Sequence, residues 1–478
     1  MGRACSPRTA ARTASDEQTA ENYVITDLVS RLRDTFVGVW HEADPATTID
    51  GSAYTPAEQD SNEIELGAFV DLLTRESRRA GRRRDIDAAG ERRIVRAFAR
   101  IATGALRWDG RQLEPLLSNG FRDALRAFPI QARRFDSSIR PADIYQAARN
   151  ALTMHCLQSL LGVPVESTPA VLGYSLLYPY TDNLLDDKSL DVAAKLAFSR
   201  RLADRLCGRE VEPDDPREAR IFELVAMIEG QYPRARFPEV FESLLAIHQA
   251  QERSISLLAG ATPLPRRTIV EIGVEKGGTS VLADGYLVAG ALTPAQAECI
   301  FGLGVFLQLR DDLEDVEDDG ACGLATVFSA RRDACLDEPT ARALAVGAAV
   351  LDRLDCFDAP SARPVRDIMA RSLQLTISDA AASFPARYTP AYLVELERRS
   401  PFRFACLAAQ RKRLSRANGS LTGLLEAWIA EEEDAPRPSK GSWPVHLGTE
   451  RPGPLPGGFS GRALVQAPAV ATGQLPRR

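Results

Sequence analysis

The sequence predicts an all-α protein built as a bundle of long helices. From about residue 141 to 430, apolar residues recur at spacings of three and four, which lines them along one face of a helix. Alternating β-branched runs are scarce, and the turn signals that join paired strands are missing. Two acidic runs, Asp182–Asp187 and Asp311–Asp319, each close a long apolar stretch, so they belong to the ends of core elements.

Taken in chain order, residues 1–20 read as a disordered arm, and 21–140 as an N-terminal helical extension broken by polar loops such as Asp44–Asn62. The arginine-dense stretch from Arg75 to Arg100 carries interspersed acids and reads as a solvated helix face. The main helical domain is expected over 141–434. Ile144, Tyr145 and Ala148 open one helix, Val171 to Asp187 form another, and Val281 to Ile300 belong to one or two more. Beyond Asp434, segments such as R-P-G-P-L-P-G-G-F cannot build a packed core, so 435–478 reads as a disordered tail.

The net charge of -6 argues against a dedicated nucleic-acid binder. The eight cysteines are dispersed with no C-x-x-C pair, which speaks against a disulfide framework or a zinc site. The four histidines are isolated from one another, so histidine-based metal chemistry is not expected. No uninterrupted apolar stretch is long enough for a transmembrane helix, and the N-terminus lacks the apolar segment of a secretory signal. A cytoplasmic protein is the default expectation.

The two acidic runs carry the chemistry. In Y-P-Y-T-D-N-L-L-D-D, Asp182 and Asp186 lie four apart and leave one helix face, with Asp187 following and Asn183 adding a neutral oxygen. In F-L-Q-L-R-D-D-L-E-D-V-E-D-D-G, Asp311 and Asp315 again share a face, with Gln308 a turn before and Asp312 beside them. Like charges so spaced repel, so a positive partner is expected in front. Mg²⁺ prefers carboxylate oxygens and is usually bound through one or two of them plus substrate phosphate. Two such faces would hold two or three Mg²⁺ ions (Mn²⁺ being an acceptable substitute) and through them a diphosphate, above an apolar cavity.

Gln308-Leu-Arg-Asp311-Asp312-Leu-Glu-Asp315 resembles the second aspartate-rich motif of trans-prenyltransferases, with Leu309 a mild departure. Asp182-Asn183-Leu-Leu-Asp186 resembles the first motif, D-D-x-x-D, with Asn in its second place. Read through Asp187 it equally resembles squalene and phytoene synthases, and Y-x-D-N-L-x-D resembles the first motif of bacterial large-terpene synthases. Glu275-Lys276-Gly277-Gly278-Thr279-Ser280 is similar to the K-T segment at a helix kink of prenyltransferases. The resemblance covers roughly 140–430. It implies the class I isoprenoid synthase fold, a helical bundle around a central active-site cavity. It further implies that Asp182, Asp186, Asp187, Asp311, Asp312 and Asp315 ligate metal, and that Lys276, Thr279 and Gln308 serve the substrate.

Several family features are missing. No R-R pair follows the first motif at the elongating enzymes' spacing, no convincing G-K-x-R exists, the N-D-x-x-S-x-x-x-E motif of cyclases is absent, and no arginine precedes the first motif. Between the motifs, His248, Gln249, Glu252 and Arg253 form a polar stripe, and Arg253 is a candidate for diphosphate, since a guanidinium suits bidentate phosphate contact. Arg310 is read as balancing charge. Tyr174, Tyr178 and Phe301 are candidate floor residues of the cavity. The expected function is a Mg²⁺-dependent terpene or isoprenoid synthase that ionises an allylic prenyl diphosphate and releases pyrophosphate. The alternatives are a condensing prenyltransferase (chain-elongating or head-to-head) and a catalytically silent regulatory partner of one. Oligomeric state stays open, a homodimer included.

Overall fold

The computed structural model describes residues 23–44, 53–83, 87–185, 187, 189–258, 264–330, 335–416 and 426–430. The expected N-terminal arm and C-terminal tail lie outside these residues. In chain order the helices are α1 (Tyr23–Glu42), α2 (Pro56–Arg83), α3 (Ala88–Gly104), α4 (Gly110–Leu117), α5 (Asn119–Phe135), α6 (Pro141–Leu161), α7 (Pro169–Leu185), α8 (Val192–Leu206) and α9 (Pro216–Gln231). They continue as α10 (Pro238–Ser254), α11 (Arg266–Ala289), α12 (Pro294–Glu314), α13 (Val316–Cys322), α14 (Asp337–Leu351), α15 (Ala362–Ala382), α16 (Pro390–Arg398) and α17 (Phe404–Arg416). The protein is all-α: among the described residues the pairing of extended backbone is limited to an isolated antiparallel bridge between Leu258 and Leu324. No helix of the described residues is long and apolar enough to cross a membrane, and the described cysteines are free thiols.

The chain divides into two compact units, one of Met1–Thr47 with Leu184–Cys356, the other of Thr48–Asn183 with Phe357–Arg478. Helices from both sides of residue 140 share the second unit. The division falls inside the last turn of α7, between Asn183 and Leu184.

In the first unit, α11 and α12 are joined by a tight connection that the sequence writes out. Gly290, at φ 76°, ends α11. Thr293 and Gln296 then form a reciprocal capping box at the start of α12, with Pro294 in the first turn. Residues Ile300 to Phe306 of α12 are buried throughout, as expected of a core element leading into acids. Phe36 of α1 packs on Phe301 with ring centroids 5.9 Å apart.

The second unit has its own core, drawn from Leu66, Phe69 and Leu73 of α2, Phe98 and Ile101 of α3, Trp108, Ile368 and Leu375 of α15, and Phe402 and Leu407. The Asp44–Asn62 loop is corrected here. From Pro56 onward the chain is already helical, because the Thr55 hydroxyl and the Glu58 carboxylate exchange capping hydrogen bonds with each other's backbone N–H. The arginine-dense stretch, expected as a solvated helix face, spans the end of α2 and most of α3 and carries ion pairs, with Arg93 on Glu76 at 2.9 Å and Arg79 on Asp87 at 3.2 Å.

Candidate functional site

The second acidic run sits at the C-terminal end of α12. The chain stays helical through it, for the Asp315 N–H donates to the Asp311 carbonyl at 2.9 Å and the Asp319 N–H to the Asp315 carbonyl at 2.8 Å. Asp311 is exposed, while Asp312 and Asp315 are partly buried. Gln308 Nε2 donates to Asp312 Oδ1 at 2.7 Å. Arg310, 8% exposed, donates to Asp311 at 3.2 Å and pairs with Glu314, so it balances charge inside the run as expected. Loss of water around Asp312 pushes its carboxyl up to about 7. The Gln308 hydrogen bond and the charge of Lys276 oppose that rise, and Asp319 and Asp311 add to it.

The helix that bears Lys276 packs closely on α12 at its paired glycines. A Cβ built on Gly277 would lie 2.6 Å from the Gly304 carbonyl oxygen and 2.4 Å from Gln308 Cβ. One on Gly278 would lie 2.3 Å from the Phe301 ring. The paired glycines therefore serve close helix approach, and α11 runs from Arg266 to Ala289 as a single helix across them. Thr279 is buried, its hydroxyl donating back to the Glu275 carbonyl at 2.7 Å. Phe301, a candidate cavity floor, is fully buried between Gly278 and Phe36.

Arg253, at the end of α10, pairs through Nη1 with Glu275 of α11. The same carboxylate accepts from Arg33 Nη1 of α1 at 3.2 Å. His248 and Glu252 of the polar stripe are tied to α8: the Ser199 hydroxyl donates to Glu252 at 2.6 Å and lies 3.3 Å from His248 Nε2.

The first run divides between the two units. Asp182 is exposed and accepts from Gln146 Nε2 at 3.1 Å. Asn183 Oδ1 accepts from Arg140 at 3.0 Å, and Arg140 also grips Asp143 with two donors at 2.7 and 2.6 Å. Asp186 lies outside the described residues. Asp187 falls beyond the end of α7, which stops at Leu185. It accepts from Arg217 Nη1 and from the hydroxyl and N–H of Ser189, at 2.6, 2.6 and 2.8 Å, and these bonds hold its carboxyl far below the usual range. Tyr174 and Tyr178 sit a turn apart on α7 with hydroxyls 3.1 Å from each other.

Among the described residues, no three histidine, cysteine, aspartate or glutamate side chains converge on one point that could hold a metal ion. The donor chemistry at the end of α12 still suits a hard dication, with Asp311 and Asp315 one turn apart on the same face and Asp312 beside them. Arg310 donates to Oδ1 of Asp311 and Gln308 to Oδ1 of Asp312, and a carboxylate held in this way has a second oxygen with which to ligate. A cavity of about 220 Å³ in the first unit is lined by Trp40, Ile269, Val270, Thr326, Val327 and Arg342 among others, and none of the candidate residues is in its walls.

No family model matches the chain, and neither curated proteins nor solved structures gave a match. Arg33 was out of reach of sequence reading, since α1 lies outside the stretch that carries the resemblance. Glu275 stands in the quoted segment but drew no role of its own, because its value lies in two arginines distant in sequence.

Proposed function

We propose that the chain is a Mg²⁺-dependent class I isoprenoid synthase that ionises an allylic prenyl diphosphate and releases pyrophosphate. The observation that carries this reading is the close approach of α11 and α12 at Gly277, where a Cβ would meet the Gly304 carbonyl oxygen and Gln308 Cβ, so the segment that bears Lys276 packs on the helix that bears Asp311 and Asp312. Two segments that resemble one family in sequence thus come together in one unit. Asp311, Asp312 and Asp315 would hold the metal, with Asp182, Asp186 and Asp187 as the ligands the resemblance assigns to the first motif. Bound Mg²⁺ supplies charge neutralisation for the leaving diphosphate. Lys276 offers a cation to the same group, Gln308 orients Asp312, and the buried run from Ile300 to Phe306 keeps water from the far side of the acids. The missing second-substrate signatures favour cyclisation or proton loss over condensation.

A second reading, a catalytically silent partner of a prenyltransferase, is favoured by one observation. The acids are engaged by protein groups, Asp187 by Arg217 and Asp311 by Arg310, with no three-group metal cluster among the described residues. Thermal unfolding with Mg²⁺ and inorganic pyrophosphate separates the two. A stabilisation that needs both ions supports the enzyme reading, because only a ligand bound by the native state raises its melting point. No shift at saturating concentrations sinks it.

A further inference from the structure

Glu275 is one carboxylate between two arginines that come from different helices. Arg33 has its guanidinium committed: Nε donates to Asp34 at 3.1 Å, Nη2 to Ser30 at 3.2 Å and to Asp34 at 3.0 Å, and Nη1 to Glu275. Arg253 is held differently. Its Nη1 is taken by Glu275, and among the described residues neither Nε nor Nη2 has a partner. The Arg253 side chain is 40% exposed against 15% for Glu275. The carboxylate is therefore a mostly buried anchor, and the guanidinium it holds is open to solvent. Lys276 is the next residue along α11, and Gly277 after it meets Gly304 and Gln308 of α12.

We infer that Glu275 is a positioning residue: pinned by Arg33, it fixes Arg253 so that the Nε and Nη2 donors are preorganised for a phosphate group of the diphosphate. This rests on the diphosphate reading proposed above and extends it to α1. The planar fork of an arginine gives two parallel donors to phosphate, and a guanidinium already held in place loses less freedom when it binds. Positioning and plain electrostatics differ in sign here. Removing a negative charge beside an anion site should strengthen anion binding by charge alone. If Glu275 acts by holding Arg253, removing it should weaken binding.

The test is calorimetric titration of the full chain with inorganic pyrophosphate in magnesium chloride. Glu275→Ala is expected to bind about tenfold more weakly than the unmodified protein, and Glu275→Gln, which keeps an acceptor oxygen for Arg253, to recover most of that loss. Arg253→Lys keeps the charge and the partner but lacks the second donor pair, so it is also expected to weaken binding about tenfold. It keeps the test alive if Glu275→Ala does not fold. Pyrophosphate bound by the unmodified protein, with equal or tighter binding in Glu275→Ala or no change in Arg253→Lys, overturns the inference alone. No binding by the unmodified protein overturns the diphosphate reading and the inference with it.

Discussion

Gly277 and Gly304 meet backbone to backbone. A Cβ on Gly304 would stand 2.2 Å from the Gly277 carbonyl oxygen, and one on Gly277 would stand 2.6 Å from the Gly304 carbonyl oxygen. Main chain cannot rotate aside as a flexible side chain can, so either methyl would drive α11 and α12 apart. Gly304→Ala is expected to destabilise the protein by about 2 kcal/mol or more, read as a lower denaturant midpoint. Gly273 lies on the same helix with nothing within 4 Å of its notional Cβ. There Gly273→Ala is expected to stabilise by up to about 1 kcal/mol through helix propensity. Equal effects at the two positions would contradict this account of the crossing.

A second expectation concerns Glu218, which is 1% exposed and receives two hydrogen bonds from Arg201, at 2.7 and 2.8 Å. Arg201→Ala would leave that carboxylate buried without its cation, at a cost of about 3 kcal/mol or more by chemical denaturation. Arg217→Ala removes a cation whose acids, Asp187 and Asp215, are far better solvated, and should leave the denaturant midpoint nearly unchanged. These outcomes also answer a sequence-level question. Arg200-Arg201 stands at the wrong spacing for the substrate arginines of elongating enzymes, and Arg201 is occupied by a structural partner.

Acid sensitivity should come in part from His155. It is fully buried, with Nδ1 2.9 Å from Gln158 Oε1 and no partner at Nε2 among the described residues. Burial lowers its pKa from 6.5 to about 4, with the Gln158 hydrogen bond opposing. Between those values the unfolded chain binds a proton that the folded chain refuses. Stability therefore carries no His155 penalty above pH 6.5, falls as the pH drops from 6.5 to about 4, and flattens below that, for a total of about 3 kcal/mol. Denaturant unfolding across this range should show a shallower fall in His155→Gln than in the unmodified protein. Identical slopes would contradict the assignment.

The helices were legible because their burial is periodic. The apolar run from Ile300 to Phe306 identifies α12 as a core element without a structure, whereas its entry at Thr293 is not located by a reading that gives Val281 to Ile300 as one or two helices. The start of α2 was missed for a local reason: its first turns are polar, so no apolar stripe marks them, and only the Thr55–Glu58 spacing signals the cap. The Gly277–Gly278 pair was legible as special, yet its role was not. Whether paired glycines bend a helix or admit a neighbour depends on what faces them, here Gly304 and Phe301. The same limit hid Arg33 and the division of the chain within α7, since both arise from contacts between residues far apart in sequence.

The most direct measurement is pyrophosphate release from allylic prenyl diphosphates of increasing chain length, with and without Mg²⁺. The proposed activity predicts release that requires Mg²⁺ and falls by about a hundredfold or more in Asp311→Ala/Asp315→Ala. Release that persists in the double variant, or none from any of these substrates in the unmodified protein, would contradict it.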